Sequence, residues 1–294
     1  MQKVSIIIPT YKRADKIERA IKSATNQTYK NIEIIVVDDN SEFPSERKKT
    51  TDIVKKYPKV ILIQNKKNLG GGLTRNEGIK KSTGEFIAFL DDDDEYHPQK
   101  IEEQVALFNK LKNSHKIGLV YCYQQVFTPN GKKKHIEKCD HEGHQLFNHM
   151  KHSLMPTSCW LCPKTIFNQG IKFENVKSQQ DATILLRILG AGYEVFRVPK
   201  PLVNFYLHDN HEGISTYNEQ YIKNIEEYHK KCREYFGQFS KSQQKELEYY
   251  FKNRIFNYYF YFDKKKSWKT LLEMFKIYPL KVNNYKKIIK LIIK

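Results

Sequence analysis

The segment Phe86-Ile87-Ala88-Phe89-Leu90-Asp91-Asp92-Asp93-Asp94 joins an apolar run directly to four carboxylates. A short apolar run that ends at polar residues is typical of a buried strand. Adjacent carboxylates repel one another, so their charge is costly unless a cation or the hydroxyl groups of a ligand lie against it. Hard cations such as Mg²⁺ or Mn²⁺ take carboxylate oxygens, often with phosphates completing the shell. The junction predicts a metal and nucleotide site at a strand end, with a solvated acidic loop as the alternative.

The residues before this junction alternate between strand-like and helix-like patterns. They predict strands at 4–8, 32–37 and 60–63, and helices at 14–25, around 53–54 and up to 79. Such alternation indicates an α/β fold with a mostly parallel sheet covered by helices, and ligands bind such sheets at the carboxyl ends of the strands. The polar loops 9–13, 38–41 and 91–94 should therefore lie close together.

The pattern continues with further helices and strands after Pro98. They are a helix to about 111, a strand at 118–127, a polar His-rich segment at 132–152, strands at 158–162 and 195–198, and a helix at 181–189. We expect one domain over 1–215, with a first half at about 1–98 and a second half at about 99–215. Residues 216–294 form a separate basic, aromatic-rich helical region.

Charge and cysteine content narrow the class of protein. The chain has 294 residues, a net charge of +18 and five cysteines. No stretch approaches the ~18 apolar residues of a membrane span, and an odd number of cysteines fits a reducing compartment. We therefore expect a cytoplasmic protein. Basic chains are drawn to nucleic acid, anionic membranes or acidic substrates.

With these segments in view, the chain resembles the family 2 glycosyltransferases of the GT-A fold from about Lys3 to His208. The matching segments include Ser5-Ile6-Ile7-Ile8-Pro9-Thr10-Tyr11-Lys12-Arg13, Ile34 to Ser41, Asn68-Leu69-Gly70, Arg75-Asn76, Gly84 to Asp94 and Gln180-Asp181. Their order and spacing together are specific, although each is weak alone. The resemblance implies an inverting enzyme that transfers a hexose or N-acetylhexosamine from a UDP-sugar to a sugar hydroxyl of a surface-glycan precursor or glycoprotein.

The resemblance also implies that residues 1–215 are the catalytic domain, with a nucleotide-sugar half at about 1–98 and an acceptor half at about 99–215. Asp39 matches the carboxylate that accepts the uracil N3–H, and Asp91 matches a contact to the ribose, with Asp92 at the variable position beside it. Arg75 matches a basic residue near the diphosphate. The loop residues expected to line the nucleotide are Pro9, Thr10, Tyr11 and Arg13. A turn or cap is the alternative role for Asp38 and Asp39.

The metal and the catalytic base are likewise implied by the resemblance. Asp93 would coordinate Mn²⁺ or Mg²⁺, and His208 matches a histidine that approaches the metal or diphosphate. Asp181 matches the general base, at a helix start whose dipole favours its ionised form, with an N-cap aspartate as the alternative. Asp94 and Gln180 would orient the loop or the acceptor. Four adjacent aspartates leave the register of the motif open by one residue.

The C-terminal region holds a disproportionate share of the positive charge. From Thr216 to Lys294 there are 18 Lys and Arg against 8 Asp and Glu, interleaved with many Tyr and Phe. The pattern predicts helices at 219–236, 243–262, 268–277 and 285–293. Their aromatic surface must cover the catalytic domain, another subunit or a membrane interface. Peripheral membrane contact, for example with a lipid-linked sugar acceptor, and a homo-oligomer are both open.

Other functions remain open on the sequence alone. A nucleotide-sugar-binding protein without turnover would carry the same motifs. A nucleic-acid-binding protein would account for the charge, but we expect no nucleic-acid partner because a carboxylate-lined cleft repels phosphates without a metal. A nucleotidyltransferase is disfavoured because residues 9–13 contain no glycine.

Overall fold

Residues 1–207 and 219–293 are described by the structure, a computed structural model. The chain divides into two units. The first comprises Met1–Leu146 and Leu154–Glu212, and the second comprises Phe147–Ser153 and Gly213–Lys294. His208, which the sequence suggests as a metal ligand, lies outside the described residues.

The first half of the sheet is parallel. It consists of β1 (Val4–Thr10), β2 (Ile32–Asp38), β3 (Val60–Gln64) and β4 (Phe86–Phe89) in the spatial order β3-β2-β1-β4. The central strands β1 and β4 are buried along almost their whole length, as expected of strands covered on both faces.

Helices α1 (Ile17–Thr25), α2 (Pro44–Val54) and α3 (Gly71–Lys81) connect these strands. The apolar residues of α1, spaced three and four apart, are buried against the sheet. Helix α3 approaches β1 closely, because a Cβ placed on Gly78 would lie 2.5 Å from Cγ2 of Ile7. Only glycine allows this contact.

The second half of the first unit extends the sheet. The elements along the chain are β5 (Glu95–Tyr96), α4 (Lys100–Leu111), β6 (Ile117–Phe127), β7 (Lys133–Glu137), α5 (Leu146–Lys151), β8 (Trp160–Pro163), α6 (Thr165–Asn168), α7 (Gln180–Gly190) and β9 (Glu194–Tyr206). Of these, α5 belongs to the second unit except for its first residue. The full order is β3-β2-β1-β4-β8-β6-β9-β5, with β7 beside β6. Strands β5, β7 and β8 run against the others. The predicted mixed, mostly parallel sheet is therefore confirmed.

Two sequence predictions in this half need correction. The final strand, predicted at 195–198, runs from Glu194 to Tyr206 because it pairs with β6 along that strand's length, with several register shifts. The segment 132–152, expected only to be polar, contains strand β7 and helix α5. Lysine and histidine at the exposed positions of β7 concealed its strand character.

The C-terminal unit is helical. Its long helices are α8 (Glu219–Arg233), α9 (Lys241–Phe262), α10 (Lys264–Ile277) and α11 (Val282–Ile293). Ser240 and Gln243 form a capping box that begins α9. Tyr249 and Phe256 of α9, Leu271 and Met274 of α10, and Leu291 of α11 form one buried cluster. Among the described residues, no helix is long and apolar enough to cross a membrane.

Candidate active site

Parallel strands bring the predicted loops to one edge of the sheet. Thr10 at the end of β1 is in register with Asp38 at the end of β2, and Ile7 is in register with Phe89 of β4. The backbone continues this alignment, since the N–H of Asp39 donates to the carbonyl of Thr10 at 3.0 Å. The loops beginning at Pro9, Asp38 and Asp91 therefore leave the sheet side by side.

Three arginines lie against the aspartates that follow β4. Arg75 donates to Oδ1 of Asp91, and Arg13 donates to both Asp92 and Asp93. Arg19 donates to the backbone carbonyl of Asp93. Side chains from α3 and from the loop after β1 thus supply the positive charge that four adjacent carboxylates require.

Among the four aspartates after β4, Asp92 and Asp94 have surroundings that disfavour the charged form of the carboxyl group. Burial and the neighbouring charge of Asp93 raise the pKa of Asp92 to about 7. Burial, followed by the charges of Asp91 and Asp93, raises the pKa of Asp94 well above its usual value. The hydroxyl of Ser158 donates to Oδ2 of Asp94 at 2.7 Å, while Oδ1 has no hydrogen-bond partner among the described residues.

Asp39 is bound by the loop that precedes α3. The residue is 2% exposed. Its carboxylate accepts from the amide of Asn65 at 2.7 Å and from the backbone N–H groups of Leu69 and Gly70 at 2.9 Å. Gly70 has φ +78°, which favours glycine there. A carboxylate offers about four acceptor positions, so these three donors leave about one for a base N–H.

The loop after β1 presents an aromatic side chain beside the aspartates. Tyr11 is 36% exposed and meets Phe43 edge to face at a centroid distance of 5.8 Å. Lys12 adopts a left-handed conformation with φ 57°, and its N–H donates to Oδ1 of Asn40 at 2.7 Å. Thr10 is buried at the end of β1. Tyr11 is therefore available to pack against a planar ring. Its contact with Phe43 was not predicted from the sequence.

Asp181 lies near the same arginine that binds Asp91. Burial raises the pKa of Asp181, against the charge of Arg75 and a hydrogen bond from the N–H of Thr157, which lower it. Gln180 accepts from Arg75 at 3.3 Å. A carboxylate whose pKa is raised is a stronger base than an exposed aspartate. Arg75 thus connects the end of β4 to the start of α7. Arg75 and Gln180 are 105 residues apart in the sequence.

Two residues position this site in ways that the sequence analysis did not assign, Asn76 and Ser158. The amide of Asn76 donates to the carbonyl of Phe173 at 2.8 Å and accepts from its N–H at 3.1 Å, which ties α3 to the segment before α7. Ser158 binds both the carboxylate of Asp94 and the N–H of Asp91. A serine at the start of a strand could not be distinguished from a packing residue before β8 and β4 were known to be neighbours.

Lys100 is a second residue that the sequence analysis missed. It is fully buried, and its ammonium donates to Gln104 at 2.8 Å and to the carbonyl of Trp160 at 3.2 Å. Burial lowers its pKa to about 8. Because Gln104 also donates to the carbonyls of Val120 and Cys159, this polar pair joins α4 to β6 and to the segment that carries Ser158.

The chemistry of the aspartate loop fits a hard divalent cation. Carboxylate oxygens are the ligands that such ions prefer, and Oδ1 of Asp94 is a buried acceptor without a partner in the described part of the chain. Within residues 1–207 and 219–293, no three His, Cys, Asp or Glu side chains are grouped to hold a metal by themselves. Phosphate and water oxygens would therefore have to complete the coordination shell.

Comparison with known proteins decides the family. Residues 5–171 match the family described as glycosyl transferase family 2. An uncharacterized glycosyltransferase of Rickettsia typhi is 34% identical over 232 residues, which cover 76% of this chain and 69% of that protein. The chain belongs to glycosyltransferase family 2. It is thus an enzyme of sugar transfer.

Other relatives and solved structures match the glycosyltransferase over different lengths. The poly(ribitol-phosphate) beta-N-acetylglucosaminyltransferase TarP of Staphylococcus aureus is 39% identical over 118 residues, or 39% of this chain and 35% of TarP. The crystal structure of S. aureus TarS residues 1–349 in complex with UDP-GlcNAc superposes with a TM-score of 0.65 at 19% identity, covering 98% of this chain and 79% of that one. The superposition shows the GT-A fold.

Proposed function

We propose that this glycosyltransferase moves a hexose or an N-acetylhexosamine from a UDP-sugar to a sugar hydroxyl, with inversion at the anomeric carbon. The acceptor would be a surface-glycan precursor, a lipid-linked sugar or a glycoprotein. The observation that carries the proposal is the common contact of Arg75 with Asp91 and Gln180, beside Asp181. Support for the donor comes from the UDP-GlcNAc complex of TarS and from the N-acetylglucosaminyltransferase name of TarP.

Asp181 would act as the general base. An acceptor hydroxyl becomes a good nucleophile only as its proton is removed in the transition state. The raised pKa of Asp181 makes its carboxylate a better proton acceptor, and the N–H of Thr157 orients it. Gln180 bonds Arg75 but cannot take a proton, so it would position the arginine and the acceptor.

The nucleotide would lie over the carboxyl ends of β1, β2 and β4. Asp39 would accept the uracil N3–H through its remaining acceptor position, and Tyr11 would pack on the base, with Pro9 and Thr10 at the pocket wall. Asp91 and Asp92 would contact the ribose side. Arg13 and Arg75 are the cations nearest these carboxylates, and they would attract the diphosphate by the same charge.

Asp93 would hold the divalent cation, and Asp94 would orient the loop; His208 remains a further candidate ligand. The ion would supply positive charge to the leaving diphosphate. Because Arg13 already binds Asp93, that arginine would have to share this carboxylate with the ion. Arg13 would then also lie beside the phosphates.

The direct test is UDP release from a panel of UDP-sugars. UDP-GlcNAc, UDP-GalNAc, UDP-glucose and UDP-galactose are each incubated with Mn²⁺, Mg²⁺ or a chelator, with and without candidate glycan acceptors. The proposal expects one donor to give acceptor-dependent UDP release, and NMR of the product to show an inverted anomeric centre. A product of retained configuration, or transfer from a GDP- or CMP-sugar alone, would contradict it.

A further inference from the structure

The outer side of helix α11 carries apolar side chains that the fold does not bury. They recur three or four residues apart, as one helical stripe requires. Their exposed fractions are 66% for Val282, 47% for Tyr285, 55% for Ile289, 70% for Ile292 and 79% for Ile293. An ordinary surface helix would present polar residues here.

The inner side of α11 already supplies the packing that this helix needs. Asn284, Lys287 and Leu291 are buried, and Leu291 belongs to the cluster that includes Met274 of α10. The ammonium of Lys287 donates to Asn257 at 2.6 Å and lies 4.0 Å from the centroid of the Phe256 ring. One side of the helix is therefore packed into the fold, and the exposed apolar residues lie on a different side.

Helix α10 extends the exposed apolar surface. Trp268 and Leu272, one turn apart, are 38% and 61% exposed. Phe275, one turn beyond Leu272, meets Tyr285 of α11 edge to face at a centroid distance of 5.2 Å. The outer face is defined here as Trp268 and Leu272 together with the five exposed apolar residues of α11.

The charge beside this outer face is mostly positive, and Glu273, the acidic residue next to Leu272, pairs with Lys252 at 2.5 Å. Glu273 is the last acidic residue, and six lysines occur in the 21 residues that follow it. Lys286 and Lys290 are exposed and lie next to the apolar stripe of α11, and Lys265, Lys269 and Lys276 are exposed on α10 next to Leu272. A surface partner must therefore be both apolar and negatively charged.

We propose that the outer face binds the surface of a bilayer that contains anionic lipids, with α10 and α11 lying in the plane of the interface. Isoleucine side chains would enter the boundary between headgroups and acyl chains, Trp268 and Tyr285 would lie at headgroup depth, and the lysines would contact the lipid phosphates. A second copy of this chain fits less well, since it would bring like charges from both copies together.

The apolar part of the proposal is tested by Ile289→Thr combined with Ile292→Thr. Binding of the full chain is measured by co-sedimentation with vesicles of phosphatidylcholine containing phosphatidylglycerol. Loss of two aliphatic side chains that would be buried in the bilayer should lower the partition coefficient by about tenfold or more. The matched control is Ile61→Thr with Ile136→Thr, two exposed isoleucines of the first unit, which should leave binding unchanged.

The electrostatic part is tested by Lys286→Gln combined with Lys290→Gln. Each lysine near an anionic surface should account for about a fivefold change in partition. The control, Lys59→Gln with Lys138→Gln, removes the same net charge at two exposed positions of the first unit and should have little effect. Binding of the unchanged protein should weaken at high salt and be much weaker on pure phosphatidylcholine vesicles.

Circular dichroism and thermal unfolding establish that each variant is folded, and the lysine pair tests the proposal even if the isoleucine pair is unstable. Equal binding of all folded variants, or equal binding to neutral and anionic vesicles, would overturn it. So would an oligomer, seen by sedimentation velocity, that the isoleucine pair dissociates without any change in vesicle binding. No sugar donor enters these assays, so their outcome is independent of the proposed transfer reaction.

Discussion

Two groups of aspartates follow neighbouring regions of the same sheet, and the fold treats them differently. Asp38 and Asp39 after β2 are bound by the chain's own donors: Asp38 by Asn40, Gln64 and Arg47, and Asp39 by the loop before α3. The group after β4 is bound mainly by arginines and by Ser158, and two of its members have raised pKa values.

The difference separates a carboxylate that is held mainly by the backbone from carboxylates that are held mainly by side chains. The backbone N–H groups of Leu69 and Gly70 fix the orientation of Asp39 and leave about one acceptor position for a ligand. Around Asp91 to Asp94, the side chains of Arg13 and Arg75 balance the negative charge. Aspartates at a strand end can therefore be held by the backbone or by side chains, and only their hydrogen-bond partners distinguish the two arrangements.

The largest expected effect is on catalysis, through the arginine that joins the β4 group to Asp181. We expect Asp181→Asn to lower kcat by about 10²- to 10⁴-fold because the amide cannot accept the acceptor's proton. UDP binding, measured by calorimetry, should be retained. Asp52→Asn, which removes an exposed ion pair with Lys48, is the control. Unchanged turnover in Asp181→Asn would assign this residue to a capping role.

The second effect concerns the metal and Asp93. In the unchanged protein, UDP with Mn²⁺ at about 100 times its Kd should stabilise the fold by about 2.7 kcal/mol, and UDP in a chelator should stabilise it much less. Asp93→Asn should remove the dependence on Mn²⁺ because a ligand oxygen is lost. The measurement is thermal unfolding of both proteins under both conditions. Equal stabilisation of the two proteins in chelator would remove the metal role from Asp93.

The third prediction compares the two aspartate groups directly by stability. Asp39→Asn replaces one acceptor oxygen with an NH₂ group, so a backbone N–H of Leu69 or Gly70 loses its partner, at a cost of about 1–3 kcal/mol. The same change at Asp92 should cost less than about 1 kcal/mol, because its surroundings already disfavour the charged form. Urea unfolding measures both. A larger loss for Asp92→Asn would reverse the comparison.

The smallest effect is on the pH profile. A general base must be deprotonated, so activity falls as the pH drops through its pKa. Because burial raises the pKa of Asp181, the acidic limb of kcat/KM should lie above the value of about 3.9 for an ordinary aspartate. The profile is measured under conditions in which circular dichroism shows the protein folded. An acidic limb at or below that value would argue against Asp181 as the base.

Much of this molecule could be predicted from local pattern. The runs at 4–8, 32–37 and 86–90 identify the central strands because buried parallel strands are continuously apolar. The spacing of Ile17, Ala20 and Ile21 identifies α1 for the corresponding helical reason. The family resemblance rests on the order and spacing of the motif segments. It was confirmed by the match of residues 5–171 to glycosyl transferase family 2.

The sequence by itself determined the alternation of strands and helices, the family, and the identity of the candidate carboxylates, because these depend on residue type and on short-range spacing. Only the tertiary structure decided that Arg13 and Arg75 balance the β4 aspartates, that the loop before α3 binds Asp39, and that α11 leaves an apolar stripe exposed. Each of these facts depends on which distant segments meet. Local composition does not determine such contacts, because they follow from the packing of the whole chain.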